Sequence, residues 1–335
     1  MRTEIDRTAS SARGAASVPA RTIASDTVRK EWRMRLAPER TIQAADRSAD
    51  AAASQLSGCA GQDDTQGRYQ RSLRGRRMTR LRVVAMAFAI VAAAWAQTSA
   101  AKEVSGALSA RPLAPAGAIA VAGKHRLRAG TTAVLYVPAA IAAGAPAPFL
   151  LLLHGAGGKG EDMIRLFKEQ ADRRGIVLLA PDSADRSWDV ALSMSGNDGA
   201  PSFGRDVKRI DAILQEAFAR VDVDPQRVAV AGFSDGASTA LSIGARNAAL
   251  FPATLAFSAG GMVADWNGPT GRVFFSHGAK DRVLPIAIAR DSLAPALRAS
   301  GFAVTFVTFD GGHSLPAPVL EQAMVWWLGP GPDSP

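Results

Sequence analysis

Cysteine, histidine and tyrosine are scarce in this 335-residue chain: one, four and two residues respectively. The single Cys59 excludes an intrachain disulfide and any cysteine-based metal site. Four histidines make a histidine-rich metal centre unexpected. Long apolar runs are also missing. Val83 to Trp95 is apolar, but it is shorter than the ~20 residues a helix needs to cross a bilayer. An excess of acids is absent too, since the formal net charge is +9. That charge is unevenly placed. Residues 1–100 hold 17 of the 39 Lys+Arg and 9 of the 30 Asp+Glu, which leaves an excess of a single basic residue over the rest. The body of the chain therefore offers no broad basic footprint for phosphate backbones, and no nucleic-acid partner is expected.

Three regions are present instead. Residues 1–77 are rich in Arg, Ala, Ser, Asp and Gln with weak apolar periodicity, as in a disordered segment. Met78-Thr-Arg-Leu-Arg, the run Val83–Trp95 and the small residues Ala94-Trp-Ala96 and Thr98-Ser-Ala100 form a basic start, a short apolar stretch and A-x-A-like cleavage sites. Residues 78–100 are thus expected to be a signal peptide, which implies a secreted or periplasmic protein without a membrane span once mature; a cytoplasmic protein is the alternative. A signal so far inside a chain is simplest to explain if translation starts at Met78 and residues 1–77 are an upstream extension.

From residue 101 the pattern predicts a single α/β domain. Ala118–Leu127 and Thr132–Val137 read as a hairpin. Short apolar strands follow at Phe149–Leu153, Ile176–Ala180, Val228–Ala231, Thr254–Phe257, Val273–Ser276 and Val304–Phe309. Helical patterns lie between them, near 161–174, 203–221, 236–250, 286–300 and 318–328. Continuous apolar strands alternating with helices mean a mostly parallel sheet with helices on both faces, entered by an antiparallel hairpin.

Gly232-Phe-Ser234-Asp-Gly236 falls between the strand Val228–Ala231 and a helix. A strand that turns at once into a helix lifts a serine hydroxyl above the sheet edge, and the glycines let the two elements approach. A serine needs a base to take its proton. On such a turn, an acid and then a histidine follow the serine in chain order. His313, in Asp310-Gly-Gly-His313, follows the last strand and is the candidate base. Asp281, in His277-Gly-Ala-Lys-Asp281-Arg-Val-Leu-Pro285, is the candidate orienting acid, with Asp310 as runner-up. The oxyanion of acyl transfer needs two backbone donors. The N–H of Asp235 is one. Ala156, with Gly157 second, is the other, from the loop His154-Gly-Ala-Gly-Gly-Lys-Gly160.

That loop also reads as G-x-G-x-x-G, with Asp182 near the spacing of a ribose-binding acid. A dinucleotide-binding oxidoreductase is therefore the rival enzyme, and a non-catalytic binding protein of the same fold is a third reading. The rival accounts for none of Ser234, Asp281 or His313. The segment Asp182–Ser202 reads as a loop bordering the substrate. Trp188 within it and His154 before it are candidate substrate-binding residues, ordinary packing being the alternative for Trp188. Its aspartates form no spaced calcium-ligand set, so no metal is expected.

Taken together, the His-Gly loop, Gly-Phe-Ser-Asp-Gly, His-Gly-x-x-Asp-x-x-x-Pro and Gly-Gly-His resemble the phospholipase/carboxylesterase group of α/β-hydrolases. They are also similar to related polyhydroxybutyrate-depolymerase and feruloyl-esterase-like proteins. The resemblance spans residues 130–330. It implies an α/β-hydrolase fold and a cofactor-free esterase, with Ser234, Asp281 and His313 in the triad roles and a small-molecule or polymer-borne ester as substrate. One position departs from that group, where glutamine often follows the nucleophile. Here it is Asp235, whose carboxylate is expected to disfavour anionic acyl groups.

Overall fold

A computed structural model describes residues 2–4, 105–112, 121–141, 146–195, 202–263, 266 and 268–330. The expected signal peptide at 78–100 and nearly all of residues 1–77 lie outside the described residues. Arg2–Glu4 (β1) is a strand where the sequence predicts none, antiparallel to the last strand.

The remaining strands are β2 (Gly123–Leu127), β3 (Ala133–Val137), β4 (Ala147–Leu153), β5 (Val177–Pro181), β6 (Val223–Phe233), β7 (Ala253–Phe257), β8 (Arg272–Gly278) and β9 (Ala303–Phe309). The helices are α1 (Gly160–Arg174), α2 (Asp189–Ser195), α3 (Arg205–Phe218), α4 (Asp235–Arg246), α5 (Ile286–Ile288), a π-helical segment Ala289–Leu293 continuing into α6 (Ala294–Ala299), and α7 (Ala317–Leu328). Among the described residues the strands form one sheet in the order β1-β9-β8-β7-β6-β4-β5-β3-β2. β4 to β9 pair in parallel, while β2–β3, β3–β5 and β1–β9 are antiparallel. This is the mostly parallel α/β-hydrolase architecture with an antiparallel entry hairpin.

Side-chain alternation explains why each strand is apolar throughout. Phe149, Leu151 and Leu153 of β4 face one core with Ile210, Ile213, Leu214 and Phe218 of α3. Leu150 and Leu152 face the other, with Met163, Ile164 and Phe167 of α1 and Leu320, Met324 and Trp327 of α7. A strand covered on both faces has no polar side to spare. Helix α1 shows how local signals set ends. The Asp162 carboxylate accepts the N–H of Lys159, acids sit in the first turn, Arg173 and Arg174 in the last, and Gly175 closes it at φ 65°.

Two elements differ from expectation. β6 begins at Val223 rather than Val228, because its polar first half continues along β4 past a bulge. The expected loop Asp182–Ser202 contains the helix α2. Trp188 just before it and Val190, Ala191 and Met194 within it are buried in the core. The sequence hides this helix because its first turn is capped from another element. The Asp189 N–H donates to Asp206 and the Asp206 N–H donates back to Asp189, which cross-links the starts of α2 and α3. Among the described residues no helix is long and apolar enough to cross a membrane.

Candidate active site

Parallel strands all end at one sheet edge, and the strand order brings the motif loops together there. The Ser234 turn follows β6, the oxyanion loop follows the neighbouring β4, and the Asp281 and His313 loops follow the adjacent strands β8 and β9. Ser234 sits at φ 57°, ψ −120°, a left-handed backbone that a side-chain-bearing residue adopts at a cost of about 1–3 kcal/mol. Its own N–H is fixed on the carbonyl of Phe257 at the end of β7, 2.9 Å away. The flanking glycines are sterically required. A Cβ at Gly232 would strike the Gly236 carbonyl, and one at Gly236 would strike that of Leu153.

The structure brings the three predicted side chains into one chain of hydrogen bonds. Ser234 Oγ lies 2.9 Å from His313 Nε2, and His313 Nδ1 lies 2.7 Å from Asp281 Oδ2. The Asp281 side chain is fully buried, and its Oδ1 accepts the N–H groups of Val283 (2.8 Å) and Leu284 (2.9 Å). Phe233 packs on the His313 ring at 4.8 Å between centroids. Asp310, the runner-up acid, is exposed and pairs with Lys280 at 2.6 Å. Such an arrangement places an imidazole to take the proton that a serine hydroxyl must lose to act as a nucleophile.

The loop after β4 passes close to the serine, with a Cβ on Gly155 placed 3.4 Å from Ser234 Cβ. The exposed Ala156 in it is the first-choice oxyanion donor. Gly157, the second choice, is not free for that role, because its N–H donates to the Arg186 carbonyl at 2.7 Å. The same loop offers no dinucleotide cradle. Gly158 N–H donates to Gly155 O, and Gly160 N–H donates to Asp182 Oδ1, so the expected ribose-binding acid caps α1 instead. Among the described residues no group of three or more His, Cys, Asp or Glu side chains is placed to hold a metal ion.

His154 and Trp188, the candidate substrate-binding residues, lie inside the protein rather than on its surface. Both are 1% exposed. The His154 Nε2 accepts the Ser183 N–H at 3.1 Å, and Trp188 Nε1–H donates to the His154 carbonyl at 2.7 Å. Burial holds the His154 imidazole below its usual range, hence neutral at pH 7. They are the scaffold behind the oxyanion loop. Asp235 is 3% exposed, and its carboxylate accepts from the Ser187 hydroxyl, so it is turned into the protein. Burial pushes its carboxyl up to about 6, partly opposed by the Ser187 hydrogen bond and by nearby His313.

Two further residues belong to the site's support: His277, a histidine after Ser234 that the chain order places before any suitable acid, and Ser187. His277 is fully buried, its Nε2–H donates to the Leu284 carbonyl at 2.7 Å, and it lies 3.3 Å from Asp281 Oδ2. Its position four residues before Asp281, at the end of a buried strand, was the available signal. Ser187 carried none, since one serine in a polar stretch looks like any other.

The segment 139–325, more than half of the chain, matches the phospholipase/carboxylesterase family. A protein described as "Putative esterase NocK", from Nocardia uniformis subsp. tsuyamanensis, is 33% identical over 111 residues, which are 31% of this chain and 32% of that protein. The chain thus matches about a third of the length of that curated relative. Among solved structures, a Bacillus cereus carboxylesterase has 20% identity and a TM-score of 0.46, covering 59% of this chain and 93% of its own. A carboxylesterase from Mesorhizobium loti has 17% identity and a TM-score of 0.47, covering 62% of this chain and 100% of its own. By its matched segment, the chain belongs to the phospholipase/carboxylesterase family.

Proposed function

We propose that this chain is a serine esterase that hydrolyses carboxylic esters through an acyl-enzyme. The observation that carries the reading is the hydrogen-bonded line Ser234–His313–Asp281 on a strained strand-to-helix turn. Ser234 Oγ attacks the ester carbonyl carbon while His313 Nε2 takes its proton. The tetrahedral oxyanion is held by the N–H groups of Asp235 and Ala156. The imidazolium returns the proton to the departing alcohol. Water then attacks the acyl-enzyme with His313 as base again, and the acid leaves. Asp281 fixes the imidazole tautomer and stabilises its cation. The steps use only groups of this chain and water.

A fluorophosphonate probe tests the reading. It should label the wild-type protein at Ser234 and leave Ser234→Ala unlabelled. Ser234→Ala should lose p-nitrophenyl acetate hydrolysis by on the order of 10³-fold or more. Absence of labelling in an active wild type would overturn the serine mechanism.

We also propose export by the segment 78–100. Cleavage near residue 97 or 101 would keep the contacts that residues 108 and 109 make with the body of the protein and would remove the Arg2–Glu4 edge strand. Leu108 N–H donates to Asn247 at 2.8 Å, and the Ser109 hydroxyl donates to Asp211 at 2.6 Å. N-terminal sequencing of protein recovered from a fractionated bacterial host tests this. Cytoplasmic protein retaining Val83–Trp95 would overturn it.

A further inference from the structure

Three consecutive residues between β5 and α2 make three hydrogen bonds that converge on the oxyanion site. The Arg186 carbonyl accepts the Gly157 N–H at 2.7 Å. The Ser187 hydroxyl donates to the Asp235 carboxylate. Trp188 Nε1–H donates to the His154 carbonyl at 2.7 Å. Two of these contacts grip the oxyanion loop on either side of Ala156, at His154 and Gly157. The third grips Asp235, whose own N–H is the other donor. Ser187 and Trp188 are 2% and 1% exposed, and Asp235 is 3% exposed, so the two side-chain bonds are shielded from water that would otherwise compete for them, while the Arg186–Gly157 backbone bond lies at the surface.

We propose that Ser187 and Asp235 are positioning residues that fix the spacing of the two oxyanion donors, with the tripeptide Arg186–Trp188 as the bar between them. The proposal rests on the serine-esterase reading above. A hole of backbone donors acts only if its N–H groups are preset to the developing oxyanion, since reorganising them during reaction consumes the stabilisation they give. The Ala156 donor stands on a glycine-rich loop that would otherwise be pliable. The Asp235 donor stands on the rigid start of α4. Without a strut, the distance between a pliable and a rigid donor is undefined. The Ser187–Asp235 bond is the side-chain link in that strut. It requires an acceptor oxygen at position 235, which asparagine supplies and alanine does not.

The test compares Ser187→Ala, Asp235→Ala and Asp235→Asn with wild type. The readouts are kcat and KM on p-nitrophenyl acetate, and inhibition by an aryl trifluoromethyl ketone, whose hemiketal oxyanion would occupy the hole. Ser187→Ala should lower kcat about tenfold, a fraction of the ~10²–10³-fold lost with a whole donor. KM should stay within about twofold, because ground-state binding is untouched. Ketone affinity should fall by the same factor as kcat/KM. Asp235→Asn should retain most of the activity and Asp235→Ala should resemble Ser187→Ala. Unchanged kcat in Ser187→Ala would overturn the proposal. So would a kcat loss with unchanged ketone affinity, or an Asp235→Asn as impaired as Asp235→Ala. If Asp235→Ala fails to fold, Ser187→Ala and Asp235→Asn still decide. A wild type that neither hydrolyses esters nor reacts with fluorophosphonate would instead remove the serine-esterase reading, and this proposal with it.

Discussion

Asp281 Oδ2 lies 2.7 Å from His313 Nδ1 although thirty-two residues separate them, whereas Asp310, three residues before His313, turns outward onto Lys280. Asp281→Asn is therefore expected to lower kcat/KM on p-nitrophenyl acetate by on the order of 10³-fold or more, because an amide favours the wrong imidazole tautomer. Asp310→Asn should stay within about threefold, since an exposed pair contributes little. Reversed costs would reassign the acid to Asp310.

Gly278 ties the acid loop to the base loop. A Cβ there would collide with the carbonyls of Gly311 and Gly312, while Ala279 N–H and Lys280 N–H donate to Phe309 O and Gly311 O, each at 2.9 Å. Gly278→Ala should push the His313 loop away from Ser234 and cut kcat by about tenfold or more, since a displacement of ~1 Å at reacting groups costs up to 10²-fold. Steady-state kinetics on folded protein, checked by circular dichroism, measures it. Full activity would show that the two loops tolerate separation.

His277 braces Asp281 from behind by capping the Leu284 carbonyl. In His277→Leu that carbonyl loses its partner inside the protein, so unfolding free energy should fall by about 1–3 kcal/mol. Urea titration measures the loss. A midpoint equal to that of wild type would mean that solvent reaches the turn.

Acid stability should carry two opposed contributions. Burial lowers the His154 and His277 pKa values below 6.5, so their stabilisation is present above that pH and is lost as pH falls through the folded values. Asp235 is raised from 3.8 to about 6, so its stabilisation is present below about 4 and lost as pH rises through 6. Asp235→Asn removes only the second contribution. Its gain over wild type should be largest above pH 7, on the order of 3 kcal/mol, and should close near pH 4. Denaturant midpoints at pH 4, 6 and 8 check this. A gain independent of pH would exclude a buried charge at Asp235.

Substrates should be short or surface-accessible esters, hydrolysed without interfacial activation. The helix α2 lies in the segment Asp182–Ser202, expected to border the substrate, where Val190, Ala191 and Met194 face the core and the start of the helix is fastened to α3. A segment so held has no spare apolar face for a lipid surface. Velocity should rise smoothly with butyrate-ester concentration and saturate. A sharp increase when a palmitate ester forms droplets would show that a lid exists.

The triad residues were legible because the chemistry of each demands a residue type at a strand end, and strand ends are readable from apolar runs. Gly-x-Ser-x-Gly marks itself through the strand before it and the helix after it. The parallel sheet follows from strands that are apolar on both faces, as Leu150 and Leu151 show by facing opposite cores. Local periodicity therefore determined the fold class and the order of the elements other than β1 and α2, and the motifs picked out the three side chains that the structure brings into one hydrogen-bonded line.

What only the tertiary structure decided is which polar groups are already spent. Gly157, His154, Trp188 and the Asp235 carboxylate looked available for substrate in one dimension. In three, Gly157, His154 and the Asp235 carboxylate are each paired with residues of the segment 183–188, Trp188 among them, at separations of 29 to 48 residues. Hydrogen-bond pairing across such separations leaves no periodic trace, because one donor and one acceptor suffice and almost any residue supplies both through its backbone. The sequence by itself therefore determined the candidate reacting groups, and the packing of distant loops determined which groups hold them in place.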